Sequence, residues 1–491
     1  MIYACALALA AGGLLVALFP NFDLTYISPL ALVPLLVAVE REPRPRRRFL
    51  LGCLTGWVFW AGTCYWVYGV LHRHGHLPAV GAATLYTSFF LIKGLHVGVF
   101  AWLVGPALSR WWGIPAVAAI WTAIEGTHPY AGFTWLMLGN AATNMAVVAR
   151  LAPITGIAGI SFVLAMMNAA VALTLFRRPK KHLAWLLAVP LLYLLPKLPA
   201  PLAGSRAAVL VQPNISEQEV WSSLWTGARA EKLLEQFAAL SWPDRADALR
   251  PDLIIWPENP APLYYYDDLR FRSFAEGVAR QHNTHLLFGT TAFRDAEKRQ
   301  PLNSAILLGP EGSEVARYDK IFLVPFGEFV PWPLHLLVEK ITREAGDFVS
   351  GKQFVVARAG EGSIGTFICY ESAMGRGVRR FAAAGARLLV TISNDGWFGR
   401  SAAREQHLLI ARMRAVENGR WLLRASNTGI TAVIDPAGRI TAALPPDSAG
   451  ALSASFDYAD QETLYTRWGD WFWWSTVAIA AGLKILERQG L

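Results

Sequence analysis

The sequence is poor in charge and in cysteine. Only 16% of its 491 residues are Asp, Glu, Lys or Arg, against about a quarter in soluble domains, and only four are Cys. So few cysteines exclude a disulfide-built scaffold, and a hydrophobic fraction of 54% excludes intrinsic disorder. The sequence also lacks metal-ligand spacings, a GxGxxG loop and a phosphate-binding loop, so we expect neither a metal nor another cofactor.

The net charge of +9 is unevenly distributed along the chain. Residues 1–198 contain 14 Lys or Arg and 4 Asp or Glu, whereas residues 199–491 contain 31 and 32. The first part is typical of a membrane domain, and the second of a water-soluble domain with its own core. The basic excess therefore indicates membrane topology and contact with anionic lipid head groups, and we expect no nucleic-acid partner.

Uncharged apolar runs predict about eight membrane-spanning helices, because a bilayer core needs roughly 20 apolar residues per helix. Seven of them fall in residues 1–198, and the eighth extends from Trp471 to about Leu486. The seven runs are 2–19, 24–39, 49–70, 77–109 (interrupted by Lys93), 111–124, 151–176 and 183–196. Residues 126–149 are uncharged but too polar for a span, and we predict a loop or a re-entrant segment there.

The orientation follows from two basic loops, Arg41–Arg48 and Arg177–Lys181. The positive-inside rule places both in the cytoplasm, which leaves residues 199–469 outside and directs the last helix inward. A secretory signal peptide is the alternative for residues 1–19, but no Lys or Arg precedes Arg41, so we expect a retained helix. The expected domains are a membrane domain at 1–198, an outer domain at 199–469 and a C-terminal helix at 470–491.

Three ionisable residues, Lys93, His96 and Glu125, lie within or at the edge of these runs. Ionisable groups inside a membrane are candidates for function. Interior hydrogen bonding or snorkelling to the interface is the alternative explanation.

From residue 207 onward, short runs rich in Val, Ile and Leu predict buried strands, with helical patterns between several of them. This alternation predicts an α/β domain. The predicted strands are 207–212, 253–256, 286–290, 305–308, 365–368, 388–392, 431–434 and 451–456, and the predicted helices are 228–239, 270–281, 374–384 and 402–418.

Cys369 ends one of these strands and is followed by a helical pattern. Such a turn can expose a nucleophile and place its thiol near a helix N-terminus. The other cysteines, Cys5, Cys53 and Cys64, fall in membrane runs, so residues 199–469 contain a single Cys. An unpaired Cys in an oxidising compartment indicates a reactive thiol, and an inert buried Cys is the alternative.

Two charged residues also lie at the ends of apolar runs, Glu258 after one and Lys320 before another, Ile321–Phe326. Glu258 comes directly after a predicted strand, and Lys320 follows Tyr318-Asp319. A carboxylate in a dry pocket can act as a base, and a lysine can stabilise an oxyanion. Glu258, Lys320 and Cys369 are therefore a chemically complete set for acyl transfer if the fold brings them together. Taken singly, Glu258 is also explained as a capping or surface acid, and Lys320 as a surface lysine.

The order Glu258, Lys320, Cys369 and its flanking residues resemble the nitrilase (carbon–nitrogen hydrolase) superfamily. Membrane spans on both sides of such a domain resemble one of its families, the apolipoprotein N-acyltransferases. The stretches similar to that family are Tyr318–Lys320, Leu323–Pro331, Ile368–Glu371, Ser393–Gly399, Gln406-His407, Ala411–Ala415 and Arg424–Thr431. The resemblance implies an α-β-β-α sandwich on the periplasmic side of a bacterial cytoplasmic membrane.

The resemblance also implies a two-step acyl transfer. Cys369 would take an acyl chain from the sn-1 ester of a phospholipid, and the α-amine of a diacylglyceryl-cysteine lipoprotein would then receive it. Glu258 would be the base, Lys320 the oxyanion partner and Glu328 a second carboxylate that steadies the pair. A monomer is expected.

Further positions match the family in the same way. Tyr370 and Glu371 stand beside the nucleophile and would support it. Trp221, Trp397 and Phe326 are expected to contact the substrate, with Trp225 as the alternative to Trp221.

The segment Phe322–Leu337 is more apolar than a soluble surface loop, which predicts a lid lying on the membrane; a packed core segment is the alternative. Two other functions compete with acyl transfer. One is a membrane-tethered amidase that uses water as the acceptor, which the three residues alone do not exclude. The other is a transporter or scaffold with an inactive outer domain, against which the intact Glu-Lys-Cys set argues.

Overall fold

The computed structural model describes residues 1–200, 204–216, 226–242, 250–259, 261–295, 300–330 and 347–488. The chain packs as two compact units: the first contains Met1–Leu198 with Trp468–Leu491, and the second contains Pro199–Arg467. Two predicted features, Trp221 and the part of the apolar 322–337 segment after residue 330, lie outside the described residues.

The first unit is helical. Its α-helices are α1 (Ile2–Ala17), α2 (Val33–Arg41), α3 (Pro45–Thr63), α4 (Trp66–Gly69), α5 (Ala79–Val104), α6 (Gly113–Glu125), α7 (Ala152–Thr155) and α8 (Ile157–Leu175), with one more from Trp471 to Arg488 near the C-terminus. Tighter 3-10 turns lie at Thr25–Ile27, Gly105–Ser109, His128–Ala131, Leu138–Ala142, Val148–Leu151, Lys180–Ala188 and Pro190–Leu194, and Val70–His74 is π-helical.

Among the described residues, two helices are long and apolar enough to cross a bilayer, Ala79–Ser109 and Ile157–Leu175. The pair Pro45–Thr63 and Trp66–His74, bent by 53°, adds a third if it forms one span. Ile2–Ala17 and Trp471–Leu486 are apolar but shorter. Helix length and composition therefore do not confirm the predicted count of about eight spans.

Two of the proline-containing runs, 24–39 and 183–196, form short elements in place of one long helix. Run 24–39 holds a 3-10 turn followed by the nine-residue α2, which has Pro34 in its first turn, a position that proline favours. Run 183–196 forms two 3-10 helices separated at Pro190, which has no backbone N–H to continue a hydrogen-bonded helix.

Buried polar side chains of this unit hold the polar segment 126–149. The Lys93 ammonium donates hydrogen bonds to the Phe133 carbonyl oxygen at 2.7 Å and to His128 Nδ1 at 2.9 Å, and Glu125 Oε1 accepts one from the Leu138 N–H at 2.7 Å. Irregular backbone at membrane depth is tolerated where protein groups satisfy it. Lys93 and Glu125 therefore make interior hydrogen bonds, one of the two alternatives that the sequence left open.

Lys93→Met keeps most of the side-chain volume but removes the donor to the Phe133 carbonyl. We expect a loss of about 1–3 kcal/mol in the free energy of unfolding, because a buried carbonyl loses its partner. Thermal unfolding of the full chain in detergent measures this loss. Lys181→Met, at an exposed lysine, is the matched control. Equal unfolding midpoints for the two variants would contradict the structural role of Lys93.

Within the described part of the second unit, twelve strands form two six-stranded sheets, ordered β12-β1-β2-β3-β4-β5 and β11-β10-β9-β8-β7-β6. The strands are β1 (Arg206–Gln212), β2 (Leu253–Ile255), β3 (His285–Phe293), β4 (Pro301–Leu308), β5 (Glu314–Asp319), β6 (Val356–Ala359), β7 (Gly362–Ile368), β8 (Leu388–Ser393), β9 (Leu422–Ser426), β10 (Ala432–Ile434), β11 (Ile440–Ala443) and β12 (Gly450–Phe456).

Both sheets have parallel strands at their centre. β2 pairs in parallel with β1 and β3, and β8 with β7 and β9, whereas the outer pairings are antiparallel. Ligand sites in open α/β sheets lie beyond the carboxyl ends of such strands. The residues that follow β2, β7 and β8 are therefore placed where a site is expected.

Helices cover the outer face of each sheet. They are α9 (Gly227–Ser241), α10 (Leu269–His282), α11 (Gly375–Ala383) and α12 (Ala403–Asn418). Two more helices follow in the chain, the short α13 (Leu464–Trp468) and α14 (Trp471–Arg488), which is the C-terminal helix of the first unit. Alternate residues of β1 show the layering, because Leu210 packs in the core that contains residues of both sheets, whereas Val209 packs against α9 and α10. α11 and α12 pack on the second sheet. The predicted α-β-β-α sandwich is confirmed.

All the predicted strands and helices of this unit exist, with ends displaced by a few residues. Four strands, β5, β6, β9 and β11, were not predicted. β11 is largely exposed, and β5 and β9 carry charged residues such as Arg317 and Arg424, so none of the three shows a purely apolar run.

Candidate active site

Glu258 lies just beyond β2, where the chain passes close to β3. The neighbouring residue on β3 is Gly289, and a Cβ there would lie 2.8 Å from Glu258 Cα and 2.6 Å from the Asn259 nitrogen. Only glycine permits this close backbone approach. The Glu258 side chain is buried, and its Oε2 accepts a hydrogen bond from the Asn394 N–H at 2.8 Å.

Lys320 follows β5 directly, and its side chain is 1% exposed. Its ammonium lies 2.9 Å from Glu328 Oε1 and 3.5 Å from Glu258 Oε1. Burial by itself lowers the pKa of Lys320, but the carboxylates of Glu328 and Glu258 outweigh it and raise that pKa above its ordinary value. The lysine is therefore a buried, permanent cation between two carboxylates.

Asn303, on β4, joins the same two carboxylates and was missed by the sequence analysis. Its Nδ2 donates to Glu258 Oε1 at 2.8 Å and to Glu328 Oε1 at 2.7 Å, and its backbone carbonyl accepts from the Lys320 N–H at 2.8 Å. The sequence does contain a signal, a polar Asn-Ser pair next to the apolar run of β4. The structure shows that this strand is buried along its whole length. Buried polar residues of this kind are hydrogen-bonded, and here the partners are the charged groups.

Cys369 stands at the turn between β7 and a 3-10 helix that spans Cys369–Ala373. Its φ of 52° lies in the left-handed region, which costs a non-glycine residue about 1–3 kcal/mol. Burial and then the Glu258 carboxylate raise the pKa of the thiol above its ordinary value, and Lys320 opposes them. The resting Cys369 is therefore a neutral thiol that needs a base to become a nucleophile.

Glu371 connects the cysteine turn to the lysine loop. Its Oε1 accepts from the Tyr318 hydroxyl at 2.7 Å and from the N–H groups of Ile321 and Phe322 at 2.8 and 3.0 Å, and its Oε2 accepts from the Ile368 N–H at 2.8 Å. One buried carboxylate thus fixes residues on both sides of Lys320 to the residue before Cys369. Burial raises the pKa of Glu371, and these hydrogen bonds oppose that shift.

The structure places the other predicted residues as follows. Tyr370 is buried next to Cys369. Phe326 is half-buried, with a φ of 64°, in the loop that carries Glu328, and Trp397 is half-buried in the 3-10 turn Asp395–Phe398. Neither aromatic ring is among the fully buried groups around Lys320, and Trp221 lies outside the described residues.

The structure groups Glu258, Lys320 and Glu328 in one hydrogen-bonded cluster and places the Cys369 thiol within its electrostatic reach. Over the described ranges, no three His, Cys, Asp or Glu side chains are arranged to hold a metal ion. The arrangement can carry out nucleophilic acyl transfer, because it combines a thiol, a carboxylate base and a fixed cation for an oxyanion.

Comparison with known proteins agrees with this chemistry. Residues 207–464 match the carbon-nitrogen hydrolase family, and residues 11–170 match the N-terminal domain of apolipoprotein N-acyltransferase. Apolipoprotein N-acyltransferases from Geobacter metallireducens and Azotobacter vinelandii are 36% and 32% identical, each over 98% of this chain and 94% and 95% of their own lengths. The chain belongs to the apolipoprotein N-acyltransferase family. This member is accordingly an acyltransferase of a membrane-associated family.

Among solved structures, two of an amidase from Nesterenkonia sp. are similar to the chain. One crystal structure of this amidase is 20% identical with a TM-score of 0.39 and covers 54% of this chain and 94% of its own. A structure of the amidase from strain AN1, solved after removal of its His-tag, is 21% identical with a TM-score of 0.40 and covers 53% and 95%.

Lys320→Met leaves two largely buried carboxylates without their cation. We expect a loss of about 3–5 kcal/mol in the free energy of unfolding at pH 7, as for other broken buried ion pairs. Because the pKa of Lys320 is raised in the folded protein, its stabilising contribution is complete below the ordinary lysine value of 10.5 and is lost as pH rises above it. The difference between the original protein and the variant should therefore shrink at pH 11.

Chemical denaturation at pH 8 and pH 11 measures this difference. Lys352→Met, at an exposed lysine of the same unit, is the matched control and should change stability by no more than about 0.5 kcal/mol. A Lys320→Met effect as small as that of the control would show that the ion cluster does not stabilise the fold.

Proposed function

We propose that this protein transfers an acyl chain from a membrane phospholipid to the N-terminal amine of diacylglyceryl-cysteine apolipoproteins, through a thioester on Cys369. The observation that carries the proposal is the buried Lys320 ammonium, held between Glu258 and Glu328 within electrostatic reach of the Cys369 thiol. Family membership is the reason for naming these two substrates. The geometry supports a reaction in which Cys369 attacks first, because a carboxylate and a cation are near its thiol.

In the first step, Glu258 accepts the proton of the Cys369 thiol, and the sulfur attacks the carbonyl carbon of the sn-1 ester. The carbonyl oxygen becomes an oxyanion, which the Lys320 ammonium stabilises. The ester C–O bond then breaks, and the departing lysophospholipid oxygen takes the proton from Glu258. A thioester on Cys369 and a lysophospholipid result.

In the second step, the lipoprotein α-amine attacks the thioester carbonyl. Glu258 accepts a proton from the nitrogen, and Lys320 again faces the oxyanion. The C–S bond breaks, an amide forms, and the Cys369 sulfur recovers its proton from Glu258. The enzyme returns to the neutral thiol that burial favours.

Supporting roles follow from contacts. Glu328 holds the ammonium at 2.9 Å, and Asn303 bridges both carboxylates, so together they keep Lys320 in position and charged. Glu371 couples the lysine loop to the cysteine turn, and buried Tyr370 packs beside it. We assign Trp221, Trp397 and Phe326 to substrate contact, with the apolar 322–337 segment as the lid that admits an acyl chain.

For the topology, we propose about eight membrane-spanning helices, seven in a membrane domain at 1–198 and one in 470–491. The catalytic domain at 199–469 would lie on the periplasmic side of a bacterial cytoplasmic membrane, and the enzyme would act as a monomer. The supporting observations are the apolar runs and the two basic loops, Arg41–Arg48 and Arg177–Lys181.

A thioester on Cys369 is the direct test of the mechanism. The purified enzyme, incubated with phosphatidylethanolamine vesicles, should gain the mass of one acyl chain on the peptide that contains Cys369. Cys369→Ala should abolish the adduct, whereas Cys5→Ala, in α1, should leave it unchanged. Adduct formation by Cys369→Ala would move the nucleophile elsewhere.

Adding a synthetic diacylated lipopeptide distinguishes the acceptors. Transfer of the acyl chain to the lipopeptide amine, with loss of the thioester, is the expected result. An acyl-enzyme that releases only free fatty acid would favour the amidase-like hydrolase that uses water, and no acyl-enzyme at all would contradict acyl transfer.

The proposed orientation predicts opposite labelling of two exposed lysine positions. In intact spheroplasts, a membrane-impermeant maleimide should label Lys352→Cys, in the outer domain, but not Lys181→Cys, in a basic loop. The unsubstituted protein, with its four native cysteines, gives the background. Labelling of Lys181→Cys without permeabilisation would reverse the topology.

A further inference from the structure

A second buried group of charges lies beneath the cysteine turn, apart from the cluster around Lys320. It consists of Asp395, after β8, His407, on α12, and Arg424, on β9, all with fully buried side chains. Arg424 Nη2 donates to Asp395 Oδ2 at 2.6 Å, and His407 Nδ1 lies 3.0 Å from Asp395 Oδ1. The mechanism above gives these residues no role.

The other ring nitrogen of His407 points at the nucleophile's backbone. Nε2 lies 3.0 Å from the carbonyl oxygen of Cys369. A carbonyl oxygen can only accept, so Nε2 must carry the hydrogen, whichever protonation state Nδ1 has. His407 therefore donates a hydrogen bond across 38 residues of sequence to the backbone of Cys369.

That carbonyl belongs to a residue in a strained conformation, with a φ of 52°. Such a conformation persists only where surrounding contacts fix it. Ser372 Oγ also donates to the Cys369 carbonyl, at 2.8 Å, but from within the same short 3-10 helix. The hydrogen bond from His407 comes from a different element and fixes the turn to the long helix α12.

His407 is itself held in place. Asp395 binds its Nδ1 side, and the ring of Phe398 packs edge-on against the imidazole with centroids 5.9 Å apart. Burial opposes ionisation of Asp395, yet Arg424 and His407 keep the pKa of its carboxyl below the ordinary value. The segment that carries Asp395 also carries Asn394, whose N–H binds Glu258, so one loop orients both the base and the support of the nucleophile.

We propose that His407, held by Asp395, is a positioning residue that sets the backbone of Cys369 so that its sulfur meets the ester carbonyl. The inference rests on the proposed function, because it takes Cys369 as the nucleophile. It concerns the rate of sulfur attack and not the binding of lipid, since His407 is fully buried and bonds to the backbone of Cys369.

Two substitutions of similar polarity separate positioning from general packing. In His407→Gln, the side-chain amide nitrogen reaches the place of Nε2 and can still donate to the Cys369 carbonyl. In His407→Asn, the shorter amide nitrogen matches Nδ1, so it keeps Asp395 and loses the carbonyl. If the imidazole ring only fills space, the rates of thioester formation in the two variants should fall together, each in proportion to the variant's loss of stability.

The readout is the single-turnover rate of thioester formation on Cys369 of the full-length enzyme with phosphatidylethanolamine vesicles, together with the KM for this lipid and the unfolding midpoint. We expect His407→Gln to acylate within about threefold of the original rate and His407→Asn to be slower by about 100-fold, as for nucleophiles displaced by about 1 Å. The KM should be unchanged in both variants.

Equal acylation rates for the two variants, or a larger loss in His407→Gln than in His407→Asn, would overturn the inference. If His407→Asn does not fold, the His407→Gln rate decides alone: a rate near the original supports positioning, and a loss as complete as in Cys369→Ala overturns it. Absence of a thioester in the unsubstituted enzyme would instead overturn the proposed function, and the inference with it.

Discussion

The candidate site depends on one ammonium ion taken out of water. Burying a charge costs several kcal/mol even after the protein relaxes around it, so Lys320 is tolerable only with close partners. Its partners, Glu258 and Glu328, are themselves largely buried carboxylates that need donors. Asn303 supplies two N–H groups to them, and the backbone N–H groups of Asn394 and Val324 supply one each. The ends of strands β2, β4 and β5 and the loops that carry Asn394 and Val324 must therefore lie close together around the Lys320 ammonium.

The two sheets divide the chemistry between them. Strands β1–β5 and β7–β11 follow the same order and the same parallel and antiparallel pairing, with β12 and β6 at corresponding edges. Glu258, the proposed base, follows the second strand of the first set, and Asp395 follows the second strand of the other. One sheet thus supplies the proposed base and the cation, while the other supplies the proposed nucleophile and the buried charges beneath it. Two hydrogen bonds join the sets: Glu371 of the second accepts from the Ile321 N–H of the first, and the Asn394 N–H of the second donates to Glu258 of the first. These bonds fix the distance between the two sheets at the site.

Short apolar runs and helical periodicity in the sequence predicted those strands and helices whose residues lie close together along the chain. Apolar runs marked most strands of the sandwich. Glu258 and Cys369 were marked because each directly follows such a run, and Lys320 because an apolar run begins directly after it. Asn303 was not singled out, and His407 appeared only within a stretch similar to the family and was given no role. Their partners lie 25 to 45 residues away, and no periodicity reveals such contacts. Uncharged runs were a poorer guide in the helical unit. They do not distinguish a straight helix from proline-interrupted turns, and a lysine inside a run says nothing of the carbonyl it will bind.

The same burial that makes the site costly also determines its resting state. Oxidation and alkylation act on the thiolate, and burial together with Glu258 disfavours that form of Cys369. The positive charge of Lys320 favours the thiolate only in part, because the carboxylates of Glu258 and Glu328 already neutralise that charge. In the proposed mechanism, the proton that moves to Glu258 neutralises this carboxylate, and the developing oxyanion of a bound phospholipid replaces it as a negative partner of Lys320. The proton transfer and the attack therefore favour each other, so that the sulfur is activated when an ester carbonyl is present and stays protected when it is absent. Because the resting Cys369 is a neutral thiol that resists oxidation, an unpaired cysteine can persist in an oxidising compartment.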